Sequence, residues 1–166
     1  MIQLKEIDWS NVRKVIGLKV GEHQRNFVSS NADSMGEAYC SLKSDKIPMV
    51  PYGILNGDEY VGFLMYDYTP SAAEERNEIG EEYLSEAAYY HLFRYMNDEK
   101  YQGQGLGCQA MKAFIELIKS NPQGIADQLF ICYYPENDGA KAFYESFGFR
   151  NSEQVVDDEN ITRLAL

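Results

Sequence analysis

Tyr101-Gln-Gly-Gln-Gly-Leu-Gly-Cys108 is the stretch on which the reading of this chain turns. Before it, Tyr89 to Asn97 is apolar and aromatic enough for a buried strand. After it, Leu106, Ala110, Ala113, Phe114, Leu117 and Ile118 recur at spacings of three and four. That period predicts an amphipathic helix of about four turns. Asn121-Pro122-Gln123-Gly124 stops it. Gly103, Gly105 and Gly107 therefore occupy a strand-to-helix turn. A helix N-terminus carries unpaired N–H groups and a partial positive charge. Glycine lets the backbone adopt strained angles and approach a ligand closely. Together these make a cradle for phosphate. The loop holds no Lys or Arg, so its grip would rest on backbone amides.

The turn by itself leaves alternatives. A P-loop needs a Lys-Ser/Thr pair, and none follows. Gly105-Leu-Gly107-Cys-Gln-Ala110 formally fits a dinucleotide turn. That fingerprint expects an acid about 20 residues later, at the end of the next strand, and Leu129-Phe-Ile-Cys-Tyr133 offers none. A tight turn without a ligand is the third reading.

Working outward, Ile2, Leu4 and Ile7 suggest an opening strand. Ser10 is read as the cap of a helix carrying Val12, Val15, Ile16 and Lys19, and a second helical run is expected around Gln24, Phe27 and Val28. Ser34 with Glu37 fits a capping box, which predicts a helix from Ser34 to Ser44. Tyr52–Leu55 and Tyr60–Tyr66 read as a hairpin through Asn56-Gly57-Asp58. Glu74, Glu75, Glu78, Glu81, Glu82 and Glu86 form an acidic run, read either as a solvated segment or as a rim that gathers cations. Gln128–Tyr133 is a strand, Asp138 to Phe147 a helix closed by Gly148, and Phe149–Val156 with Ile161–Leu166 a closing strand pair. The order predicts one mixed α/β domain over residues 1–166.

Composition bounds the function. The 166 residues carry 15 Lys and Arg against 26 Asp and Glu, a net charge of −11. Such a chain repels phosphate backbones and anionic membranes and attracts cations, so no nucleic-acid or membrane partner is expected. Cys40, Cys108 and Cys132 form no CxxC pair, which speaks against a zinc ribbon or disulfide framework. No run reaches the ~18 apolar residues of a membrane helix, and the N-terminus lacks a signal-peptide core. The expected location is the cytoplasm.

Gln102-x-x-Gly105-x-Gly107 resembles the Q/R-x-x-G-x-G/A pyrophosphate loop of the GNAT family of N-acetyltransferases. Asn137-Asp-Gly-Ala140-Lys-Ala-Phe-Tyr144-Glu-Ser-Phe-Gly148-Phe149 resembles that family's N-x-x-A-x-x-x-Y-x-x-x-G-F segment. Arg94-Tyr-Met-Asn-Asp-Glu-Lys-Tyr-Gln-Gly-Gln-Gly-Leu-Gly107 is similar to the corresponding run of bacterial spermine/spermidine acetyltransferases. Gln24, Phe27, Val28, Asn31, Ser34 and Val61–Met65 extend the likeness into the N-terminal half.

The resemblance implies a mostly antiparallel sheet, with a central parallel pair splayed into a V and helices flanking it. It implies acetyl-CoA as cofactor, no metal, and a small cationic amine such as a polyamine as acceptor; other amines, or a CoA-binding module without turnover, are the rivals. Backbone groups of Tyr95, Met96 and Asn97 would meet the pantetheine. Gln102, Gly103, Gln104, Gly105, Leu106, Gly107 and Cys108 would hold the pyrophosphate. Asn137 and Ala140 would lie beside the cofactor, Asn137 also capping its helix. Tyr144 would donate a proton to the leaving thiolate, although its spacing also suits a core residue beside Phe143 and Phe147. Phe93 stands where relatives often have an acid, so the base is left among Glu22, Asp67, Glu82 and His91. Dimers through the C-terminal strands are common in the family.

Overall fold

The computed structural model describes residues 1–43, 47–71 and 87–166. The strands are β1 (Ile2–Glu6), β2 (Val50–Asn56), β3 (Glu59–Thr69), β4 (Tyr89–Asn97), β5 (Gln128–Tyr133), β6 (Arg150–Val156) and β7 (Glu159–Ala165). The helices are α1 (Val12–Ile16), α2 (Asn31–Ser41), α3 (Leu106–Lys119) and α4 (Asp138–Glu145). The strands form one seven-stranded sheet in the order β1-β2-β3-β4-β5-β7-β6. Every neighbouring pair is antiparallel except β4 and β5, which run parallel. This is the mixed sheet with a central parallel pair that the motifs imply. The acidic run with Glu82, and the expected end of a helix at Ser44, lie outside the described residues.

The middle of β3, Val61 to Tyr66, is apolar without interruption, because the sheet is covered on both faces there. Leu64 and Tyr66 face α3, whose Ala110, Met111, Phe114 and Ile118 pack on them and on Tyr90, Leu129 and Ile131. Phe63 and Met65 face α1 and α2 and meet Val15, Ala38 and Met96. Burying each large side chain stabilises the fold by about 1.5–3 kcal/mol relative to leaving it in water. Two-residue turns set the hairpin registers. Asn56 pairs with Glu59, and Gly57 takes the positive φ of 62°. Val156 pairs with Glu159, and Asp157 and Asp158 are both left-handed, with φ of 47° and 66°. Two consecutive positive φ values suit the right-handed twist of a hairpin, and Asp tolerates them better than most residues.

The N-terminal helices differ from the expectation. Ser10 does not cap α1; its hydroxyl donates to Asp8 Oδ1 at 2.6 Å, and Asn11 precedes the helix. No α-helix forms around Gln24. Glu22–Gln24 is a single 3-10 turn, because the Gln24 side chain accepts from the Gly21 amide at 3.1 Å and from Gln102. The cap of α2 is Ser30, whose hydroxyl accepts from the Asp33 amide at 3.1 Å. Ser34 lies inside that helix, fully buried, and Glu37 reaches Arg94 instead of closing a capping box.

The feature that makes a site is where β4 and β5 part. They pair at Tyr90↔Leu129, His91↔Phe130 and Leu92↔Ile131, and no further. β4 continues along β3 to Gly62↔Asn97, while β5 continues along β7 to Tyr133↔Asn160. Met65 pairs with Arg94 and Tyr66 with Leu92, which leaves Phe93 as an extra residue on β4. A bulge of this kind bends its strand and increases its twist, carrying the end of β4 away from β5.

Candidate active site

The parted strands open a cleft of about 630 Å³. One wall is β4 from Leu92 to Asn97, with Gln102 and Gly103 at its end. The opposite wall is Cys132 to Tyr134 and the inner side of α4. The segment from Gln24 to Ser29 borders it as well.

The glycine loop closes one end. Gly103 and Gly105 have φ of 72° and 73°, and a Cβ built on either would meet nothing within 4 Å. Glycine is needed there for the left-handed backbone, and the space beside it stays open. Gly107 is needed for a different reason: its Cβ would lie 2.8 Å from Asn97 Nδ2. The loop is braced from within. Gln102 Nε2 donates to the Asn97 carbonyl and to Gln24 Oε1, each at 2.9 Å. The Tyr95 hydroxyl donates to the Gly107 carbonyl at 2.6 Å. Asp98, buried, accepts from the amides of Lys19 and Lys100. On the far wall Asn137 Oδ1 accepts from the Ala140 amide at 3.0 Å and caps α4 while lining the cleft.

Residues 20–149, which include the whole cleft wall except Glu159, match the model of the acetyltransferase (GNAT) family. The chain belongs to the GNAT family. As a GNAT protein it is an N-acetyltransferase that draws its acetyl group from acetyl-CoA. Over 162 residues it is 26% identical to the spermine/spermidine N(1)-acetyltransferase of Bacillus subtilis strain 168, covering 96% of this chain and 95% of that protein. The fold also matches aminoglycoside acetyltransferase AAC(6')-Ib in complex with coenzyme A, with a TM-score of 0.75 at 17% identity over 99% of this chain and 95% of that one. PaiA N-acetyltransferase from Thermoplasma acidophilum, in complex with coenzyme A, gives 0.66 at 11% identity over 100% and 99%.

The GNAT cleft suits coenzyme A on its own features. A glycine cradle lies open at the start of α3, where N–H groups lack intrahelical partners. Among the described residues, no strand pairs with the edge of β4 that faces β5 beyond Leu92. Gln102 and Gly103 of the loop line the same cleft as this edge of β4.

Tyr144 lies 8% exposed on the cleft wall, its ring among Tyr133, Phe143 and Phe149. Burial first, and the Glu159 charge second, hold its phenol well above the ordinary range. Tyr95 is raised too, chiefly by burial. Cys108 and Gln104 are exposed beside the loop, Gln104 donating to the Lys100 carbonyl, and Leu106 is buried under α3.

The acidic candidates do not gather at the cleft. Asp67 and His91 are buried against each other at paired positions of β3 and β4, Oδ2 to Nδ1 at 3.2 Å, and neither lines it. Alternation along β3 and β4 sends their side chains to the face opposite Tyr66, Tyr90 and Leu92. Burial disfavours the His91 cation, but the hydrogen bond with Asp67, with a further contribution from the nearby Cys132, outweighs it and pushes the pKa up to about 10. Glu22 is exposed in its 3-10 turn, off the cleft wall. Three charged residues of the wall, Arg25, Arg94 and Glu159, escaped the reading of the sequence as site groups. Arg94 stacks over the Phe93 ring at 4.0 Å and pairs with Glu37 at 3.4 Å. Glu159, first residue of β7, is held above its ordinary pKa mainly by burial. Nothing in its local sequence distinguishes it from the acids beside it.

Proposed function

We propose that this protein transfers the acetyl group of acetyl-CoA directly to a primary amine of a small cationic acceptor, a polyamine such as spermidine or spermine. The observation that carries the reading is the parting of β4 and β5 after Leu92 and Ile131, with Gln102 and Gly103 of the glycine loop, the end of β4 and Tyr144 on one cleft. The amides of Gly103 to Cys108 hold the diphosphate at the mouth of α3. Since the Asn97 carbonyl is taken by Gln102, the pantetheine pairs chiefly with Tyr95 and Met96. Asn137 and Ala140 flank it from α4. When bound, acetyl-CoA supplies the activated thioester. Tyr144, whose raised pKa keeps its proton on at neutral pH, gives that proton to the departing sulfur.

The polyamine acceptor rests on the relative of 26% identity over nearly the full length and on the net charge of −11, which raises the local concentration of cations. Residues 1–166 act as one catalytic domain, in the cytoplasm, with a second copy engaged through the C-terminal strands.

Thiol release tests this reading. The protein is incubated with acetyl-CoA and a panel of amines, and free CoA is followed. Polyamines are expected to turn over best, ahead of aminoglycosides, amino acids and Lys peptides. Preference for one of those replaces the acceptor. Tight coenzyme binding with no turnover on any amine overturns the reading in favour of a binding module.

A further inference from the structure

An alkylamine holds its proton at neutral pH, much as a Lys side chain does with a pKa of ~10.4. Only the neutral nitrogen attacks a thioester. The cleft therefore needs a group that receives this proton, and His91 and Asp67 are locked together in the interior. Among the described residues, Glu159 is the one carboxylate on the cleft wall.

Its surroundings suit the task. Glu159 is half-buried, so its charge is poorly screened. Arg94 and His91 of β4 favour its charge, and so, more weakly, does Tyr134 just beyond β5. Asp157, in the preceding turn, opposes it. Arg94 does not neutralise it outright, because that guanidinium is engaged by Glu37, the Phe93 carbonyl and the Phe93 ring. Tyr144 of α4 feels the Glu159 charge as the strongest influence on its phenol after burial. A carboxylate and a protonated phenol thus face one cleft, both held above their ordinary ranges, the phenol keeping its proton and the carboxylate available to accept one.

We propose that Glu159 is the catalytic residue that binds the acceptor's ammonium group and takes its first proton. This rests on the N-acetyltransferase reading above with a cationic acceptor. The ammonium N–H bond breaks toward a Glu159 carboxylate oxygen, and the freed lone pair forms the C–N bond at the acetyl carbonyl. The C–S bond breaks, and Tyr144 Oη gives its proton to the sulfur. The second nitrogen proton, lost as the amide forms, restores Tyr144. Glu159 returns its proton to water. Burial lifts the carboxyl above the ordinary range, nearer the neutral pH at which a base is most effective.

Glu159→Gln tests this, because the amide keeps nearly the same volume while removing the charge and the proton-accepting oxygen. With spermidine or n-butylamine, kcat/KM at neutral pH should fall by about 10²–10⁴-fold, the usual worth of a general base. The acid limb of the wild-type pH profile should disappear. The deficit should shrink with trifluoroethylamine, which is largely neutral at neutral pH and has little need of the step. Calorimetry with spermidine on the CoA-loaded protein should show affinity lowered by roughly tenfold, the scale of one charge-assisted contact. An unchanged pH profile, or an equal deficit for every amine, overturns the role of Glu159. Should the wild type acetylate no amine, the reading of function fails by itself. The titration then judges Glu159 separately, and unchanged spermidine binding overturns its role.

Discussion

His91 Nδ1 lies 3.2 Å from Asp67 Oδ2, across a directly opposed pair of positions on β4 and β3, with both side chains almost fully buried. The consequence is a dependence of stability on pH. The folded chain holds the His91 proton up to about 10, against an ordinary value of 6.5. Below the unfolded pKa both states are protonated and the pair contributes in full. Between about 6.5 and about 10 the unfolded chain releases the proton and the folded chain keeps it, so stability falls as pH rises. Urea unfolding of the wild type at a series of pH values should show this decline. In His91→Gln the slope over the same window should flatten, on top of a general loss of stability.

Tyr144→Phe removes one hydroxyl from an otherwise packed ring. The fold and coenzyme affinity should be kept, since the ring contacts with Tyr133, Phe143 and Phe149 remain. Turnover should fall by about 10²–10⁴-fold, the range for a lost general acid. Steady-state thiol release beside a CoA binding titration separates the two effects.

Gly62 and Gly105 should answer differently to alanine. A Cβ on Gly62 would sit 2.5 Å from the Met96 carbonyl oxygen, which is backbone and cannot step aside. Gly62→Ala should cost about 1–3 kcal/mol of stability through overpacking and disturb the β4 wall with it. Gly105 has open space but a φ of 73°. Gly105→Ala should cost about 1–2 kcal/mol for the left-handed backbone, together with weaker CoA binding, since the new methyl enters the cradle. Denaturant midpoints and CoA titrations read both.

Gln102 ties the loop to Asn97 and to Gln24 through one amide nitrogen. Gln102→Ala leaves both acceptors without that donor, at about 0.5–1.5 kcal/mol for each hydrogen bond. The expected result is a lower melting temperature and a raised KM for acetyl-CoA, with kcat changed less.

The glycine turn, β4, α3 and β5 were legible in the linear chain, and so was the cap at Asn137. Each is governed by neighbours within a few turns of helix or strand: an apolar stripe at period 3.6, a strand bounded by turn residues, an Asn ahead of a helix. The start of α2 was misplaced by three residues because Ser30-x-x-Asp33 and Ser34-x-x-Glu37 are both plausible caps, and Glu37 was claimed by Arg94 from another element. The stretch around Gln24 looked helical, yet its side chain is used to hold a loop that comes almost eighty residues later.

The order of residues along the chain was enough to establish the class of fold and to place the glycine turn between strand and helix, because these depend on local periodicity; the roles expected of the turn and of Tyr144 came from motifs that resemble the GNAT family. The polar residues that share the cleft needed the folded sheet. His91 and Asp67, credible acids and bases on paper, are paired inside, and Glu159 takes a place on the wall because β7 inserts between β5 and β6. Strand order is settled by packing over the whole chain, and no local signal encodes which distant carboxylate it will bring to a given opening.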